Sequence, residues 1–125
     1  MFGMQVPAFM LKQFYQVGSL ACEENGVRFA LTNPLMPATI VEILEVSVSG
    51  LPHALEAIAF EQDGLRREAL SVSAEAPVEF KKGAVVTVTV DGVSLEAGMH
   101  ALVVKVRTEE FGSIKVEVED RLVIG

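Results

Sequence analysis

Ala84–Thr108, AVVTVTVDGVSLEAGMHALVVKVRT, is the stretch whose reading decides the fold. In its first run Val86, Val88 and Val90 share one parity, while Thr87 and Thr89 share the other. In its second run Leu102, Val104 and Val106 share a parity opposed by Lys105 and Arg107. Successive side chains on a strand point to opposite faces, so each run buries one face and wets the other. Between the runs Asp91-Gly92 and Ala97-Gly98 supply turn chemistry. The reading is the central antiparallel pair of a β-sheet.

Working outward, the same alternation recurs on both sides. Toward the carboxyl end, Glu109-Glu110-Phe111-Gly112 turns the chain, and Ile114, Val116 and Val118 alternate with Lys115, Glu117 and Glu119. Lys105 and Arg107 are expected to face Glu117 and Glu119 across that ladder, pairs that set register more than stability. Toward the amino end, Asp63-Gly64 and Asn25-Gly26 are hairpin signals, because both residues of each pair tolerate positive φ. Val27, Phe29 and Leu31 read as inward on the return strand of the Asn25-Gly26 hairpin, and Cys22 as a small buried hydrophobe on its first strand. From Thr39 to Ser49 the apolar phase slips between Val41/Ile43 and Leu44/Val46/Val48, which predicts either a bulge near Ile43 or a first half buried on both faces. Strand character is also expected from Leu11 through Phe14, Tyr15 and Val17 to Gly18.

The pattern gives eight or nine short strands and no sustained helical period. The expected fold is all-β, an immunoglobulin-like antiparallel sandwich formed by one domain over residues 1–125. Residues 1–10 read as an apolar arm carrying Phe2, Met4, Val6, Phe9 and Met10. The loop Asn33-Pro34-Leu35-Met36-Pro37 adds two further apolar side chains, Leu35 and Met36, at a tip where two prolines cannot donate to a ladder. Apolar groups at such places either pack on their own domain or form a protein-facing surface, since small domains rarely leave a large apolar patch uncovered.

Composition narrows the partners. Half of the 125 residues are hydrophobic and the formal net charge is -7. Scattered Lys and Arg on an acidic chain argue against nucleic acid and against anionic membrane surfaces. A single cysteine rules out an internal disulfide and suits a reducing compartment. The apolar amino terminus lacks the basic residues that precede a signal-peptide core, and no apolar run reaches the ~18 residues of a membrane span. The expected setting is cytoplasmic. Few Asn and Gln beside much Ala, Val, Glu and Arg is a composition met in thermophiles.

Chemistry-bearing residues are few. His53 falls in a loop and His100 at a strand start, with no H-x-H, H-E-x-x-H or Cys-x-x-Cys spacing, so neither a metal nor a cofactor is expected. His100 shares the parity of Leu102, which fits a core-edge side chain bonded to backbone. Glu42 shares the parity of Leu44 and Val46. If inward it would be a carboxylate of raised pKa able to act as acid or base; if before the bulge it points to water. Gathered at one sandwich end, His100, His53 and Glu42 would make an acid–base site for a hydrolase, isomerase or lyase. A third possibility is a small-ligand carrier using the space between the sheets.

Leu95-Glu96-Ala97-Gly98-Met99-His100-Ala101-Leu102-Val103-Val104 resembles the L-x-x-G-x-H-x-L-x-V corner of immunoglobulin-like and fibronectin-like modules. The succession Gly18-Ser19-Leu20, Asn25–Phe29, Leu31–Pro34, the segment ending at Gly50, Asp63-Gly64 and that corner is similar to the small all-β subunit of C-glycoside deglycosidases. The resemblance implies an accessory subunit seated on a larger barrel subunit that holds the metal and does the chemistry, and it carries over no catalytic residue. Short chains of this kind are also associated with the name hydroxymethylglutaryl-CoA reductase. That enzyme needs a much larger chain, nicotinamide- and CoA-binding segments and catalytic Lys, Asp, Glu and His in specific motifs, and none is matched. The functional expectation is a non-catalytic binding or assembly module, partnered by itself or by a larger catalytic subunit.

Overall fold

The computed structural model describes residues 6–124. Ten strands form two antiparallel sheets. The first sheet runs in the order β1 (Ala21–Glu23), β2 (Gly26–Thr32), β8 (Val85–Asp91), β5 (Ile58–Gln62), β6 (Leu65–Glu68). The second runs β10 (Gly112–Leu122), β9 (Gly98–Thr108), β3 (Ala38–Val48), β4 (Leu51–Pro52), and β7 (Val78–Phe80) pairs with the start of β3. With β6 and β7 as added short strands, this is the immunoglobulin arrangement of an A-B-E-D sheet on a C-F-G sheet, β4 taking the place of the extra C′ strand. No helix among the described residues is long and apolar enough to cross a membrane.

The alternating runs bury the faces expected of them. Val86, Val88 and Val90 are fully buried on β8, as is Leu102 on β9, with Val104 and Val106 buried beside it. They meet Val27, Phe29 and Phe60 of the first sheet and Ile43, Val46 and Ile114 of the second in one aliphatic core. Fully burying each side chain of this kind stabilises by roughly 1.5–3 kcal/mol before chain entropy is counted.

Four expectations are corrected. First, β8 and β9 do not pair with each other. β8 lies between β2 and β5, and β9 between β10 and β3, in the opposite layer. Alternation encodes which face is buried and says nothing of neighbours. The segment between Asp91 and Gly98 is longer than a tight hairpin link, and it crosses the roughly 10 Å between layers instead. Second, Leu11–Val17 is not a strand. Ala8–Leu11 forms one helical turn (α1), Lys12–Phe14 a 3-10 turn, and only Tyr15 makes a bridge, to Leu31.

Third, Cys22 is exposed, because it sits on the edge strand β1 and Leu20 takes the core position. Fourth, the β9–β10 register sets Lys105 opposite Lys115 and Arg107 opposite Ser113, so Glu117 and Glu119 face Val103 and Ala101. Arg107 pairs instead with Glu42 on the neighbouring β3, at 3.0 Å. The expected β3 irregularity is present as two register shifts flanking Ile43.

Gly26 illustrates how a hairpin signal can serve a second purpose. The β1–β2 turn is Glu24-Asn25, and Gly26 already belongs to β2, opposite Glu23 and Asp91. A Cβ there would collide with the Val90 carbonyl oxygen, so close strand approach demands glycine at this position.

Candidate functional site

The arm and the loop converge. Val6, Pro7, Met10 and Phe14 from the amino-terminal segment meet Pro34, Leu35 and Met36, with Phe111 from the β9–β10 turn, around a surface groove of about 250 Å³. Every side chain lining it is apolar. Of the residues expected to form an interface, Val6, Met10, Leu35 and Met36 line this groove. Phe9 does not; it stands 70 % exposed on the other side of α1. Phe2 and Met4 lie outside the described residues.

One turn of helix is too short to hold itself together in water. Met10 N–H and Leu11 N–H donate to the Pro7 carbonyl, and the rest of the support is tertiary. Phe14 is buried against Phe80 with ring centres 6.3 Å apart, and Tyr15 against Phe29 at 6.1 Å. Phe14 also borders a small apolar void of about 30 Å³ between the sheets, so one ring separates groove from core.

Asp120 pins the segment from beneath. It lies on the inward parity of β10, and its carboxylate accepts from the Tyr15 hydroxyl at 2.5 Å, Gly18 N–H at 3.0 Å and Leu20 N–H at 3.2 Å. Burial pushes its pKa up, but the hydrogen bonds from Tyr15, Arg121, Leu20 and Gly18 outweigh burial and hold it below the usual aspartate value. Tyr15 is pushed well above the usual phenol range, first by burial and then by the carboxylate it donates to.

Asn33 fixes the loop side. It is fully buried. Its Nδ2 donates to the carbonyls of Met36 at 2.8 Å and Phe80 at 2.7 Å, and its Oδ1 accepts from Leu35 and Met36 N–H. All four hydrogen-bonding sites of the amide are used. The loop is thereby tied to the end of β7 with Leu35 and Met36 presented to the groove.

The three acid–base candidates do not form one site. Glu42 is exposed beside Arg107, seven positions along β9 from His100, or roughly 23 Å at the rise of a strand. Hydrogen-bond reach is therefore out of the question for that pair. His53 is half-buried in the connection after β4, where its backbone N–H donates to the Val46 carbonyl. His100 stands at the start of β9, its Nδ1 2.8 Å from Ser49 Oγ and its Nε2 2.7 Å from the Glu96 carbonyl. That is the place and the upstream backbone bond of the tyrosine corner in immunoglobulin-type sandwiches, here made by an imidazole. No group of three or more His, Cys, Asp or Glu among the described residues could hold a metal ion.

Asp120, Asn33, Phe14 and Phe111 were not singled out by sequence. Asp120 had a readable signal, since it continues the inward series Ile114, Val116, Val118. The others acquire their roles only from the meeting of segments distant in the chain.

Compared with family models, residues 10–123 match the one described as Hydroxymethylglutaryl-CoA reductase, N-terminal domain. The matched span contains all ten strands and most of the groove. No curated protein matches the chain. The resemblance to deglycosidase subunits gains no support: it rested on turn glycines and core positions, which any sandwich of this arrangement shares.

Proposed function

The chain belongs to the hydroxymethylglutaryl-CoA reductase N-terminal domain family, and from that premise we propose that it is a non-catalytic assembly module that docks on a larger catalytic protein. The observation that carries this reading is the groove, where the arm and the Leu35-Met36 loop are each held from below by a satisfied buried polar residue and turn apolar side chains outward. Interfaces are built in this way, from a few anchored apolar groups around a cleft that excludes water. An aliphatic or aromatic side chain of the partner enters beside Phe14, and the net charge of -7 favours a partner face that is basic around its apolar anchor. Catalysis is left to the partner, because Glu42 and His100 lie too far apart to share a proton.

The test is calorimetric titration of the purified chain with the catalytic portion of a hydroxymethylglutaryl-CoA reductase from the same source. Saturable binding that vanishes in the Leu35→Asp/Met36→Asp variant, which still folds by circular dichroism, is the expected result. No binding, or binding indifferent to the double substitution, would overturn the proposal.

A further inference from the structure

β10 is the outer strand of its sheet, paired with β9 on one side and with no other strand among the described residues. It keeps unbroken register with β9 from Gly112 to Leu122. Such a long, unbulged edge offers backbone N–H and C=O groups for further strand pairing, bordered by α1 and the 3-10 turn and with the Arg121 N–H already donating to Asp120 Oδ1. A trough of about 570 Å³ runs along Glu117, Val118 and Glu119, walled by Lys12, Tyr15, Val17 and Ala101. Val17 stands 84 % exposed on its rim.

We propose that this edge pairs with β10 of a second copy of the chain, antiparallel about a two-fold axis through Val116, so that the two sheets become one. The charge pattern selects both occupant and register. The outer face of β10 reads Lys115, Glu117, Glu119, Arg121, all exposed. Centring on Val116 sets Lys115 opposite Glu117 of the second copy and, by symmetry, Glu117 opposite its Lys115. On the inner face Ile114 meets Val118 of the second copy, and the two Val116 side chains meet each other.

Three neighbouring registers fail, and the one centred on Ile114 sets Lys115 opposite Ser113 and forgoes the ion pairs. Centring on Lys115 or on Glu117 puts that residue against its own copy. Centring on Val118 opposes Glu117 to Glu119 and Lys115 to Arg121. A shift of one residue in the pairing would set inward side chains opposite outward ones. Like charges directly opposite across a ladder are destabilising.

The free molecule carries one such conflict already. Lys115 stands opposite Lys105, which faces Glu45 on its other side, and Lys115 makes a long ion pair with its own Glu117 at 3.9 Å. Glu117 of a second copy adds a further counter-charge from the open side. This surface is distinct from the groove, and the inference does not rest on the docking of a larger partner.

Sedimentation equilibrium of the full chain from micromolar to sub-millimolar concentration tests the pairing, using Lys115→Glu, Glu117→Lys and the exchange of both. Each single reversal turns two symmetric attractive pairs repulsive and weakens the dimer by about tenfold or more. The double exchange restores opposite charges and returns the dissociation constant to near its starting value. Both side chains are more than half exposed, so the variants fold, and equal melting temperatures confirm it. The Leu35→Asp/Met36→Asp variant keeps the dimer, which separates this result from the fate of the groove. A wild-type chain that is monomeric throughout, a dimer indifferent to the single reversals, or one that the double exchange fails to restore would each overturn the proposal.

Discussion

The Tyr15 hydroxyl donates to Asp120 Oδ2 at 2.5 Å across 105 positions of sequence, closing the amino-terminal segment onto the last strand. A hydrogen bond to a charged acceptor is worth about 1.5–3 kcal/mol, and stranding buried donors costs more than removing one of them. Tyr15→Phe is therefore expected to destabilise by about 1.5–3 kcal/mol, since the carboxylate keeps its backbone donors. Asp120→Ala should cost more, because it strands the hydroxyl and the Leu20 N–H together. Urea denaturation of both variants gives the order, and an Asp120→Ala cost below that of Tyr15→Phe would refute the account. Both should also speed tryptic cleavage at Lys12, since the pin holds the segment that bears Phe14 and Met10.

The same pair sets limits in pH. Asp120 titrates below its ordinary 3.8 when folded, so its stabilisation is complete above that value and is lost as the pH falls through the folded one. Tyr15 titrates above its ordinary 10.0 when folded, so its stabilisation is complete below that value and is lost as the pH rises toward the folded one. Glu110 adds to the acid limb: burial nudges its pKa up, but hydrogen bonds from Thr39 N–H at 2.7 Å and Thr39 Oγ1 at 2.8 Å hold it down. Melting temperature against pH should be level between about 5 and 10 as far as these groups decide it, and fall at both ends. Tyr15→Phe should flatten the alkaline fall, and an unchanged alkaline limb in that variant would refute the assignment.

What could be read from the sequence follows from what alternation encodes. Val86, Val88, Val90 and Leu102, Val104, Val106 announced their buried faces because strand period alone fixes facing. Their strand neighbours were hidden, since two central strands of opposite layers look the same as a hairpin pair until the link between them is placed in space. Leu11–Val17 was ambiguous for a different reason. Short apolar runs fit helix and strand alike, and burial of Phe14 and Tyr15 decides between them. The arm and the Asn33–Pro37 loop were each legible as apolar and exposed. Their convergence was not, because it depends on Asn33 reaching Phe80 and Asp120 reaching Tyr15, contacts that no local pattern records.

The groove should respond to its own support without any change in its lining. Asn33 uses both amide hydrogens and both lone pairs, and the Phe80 carbonyl it serves is buried. Asn33→Ala removes the amide and leaves the Phe80 carbonyl without its donor, at a cost of about 1–3 kcal/mol. Asn33→Asp is nearly isosteric yet should cost more. It keeps the acceptor toward Leu35 and Met36 N–H, but sets a carboxylate oxygen against the carbonyls of Met36 and Phe80 in a dry site. Denaturation midpoints give the order of the two variants. Hydrogen exchange at Leu35 and Met36 N–H then reports whether the loop has come away from β7 before the sandwich unfolds. If Asn33→Asp proved as stable as the wild type, with both amides still protected, the loop would be held by packing alone and the buried amide would have no part in presenting the rim.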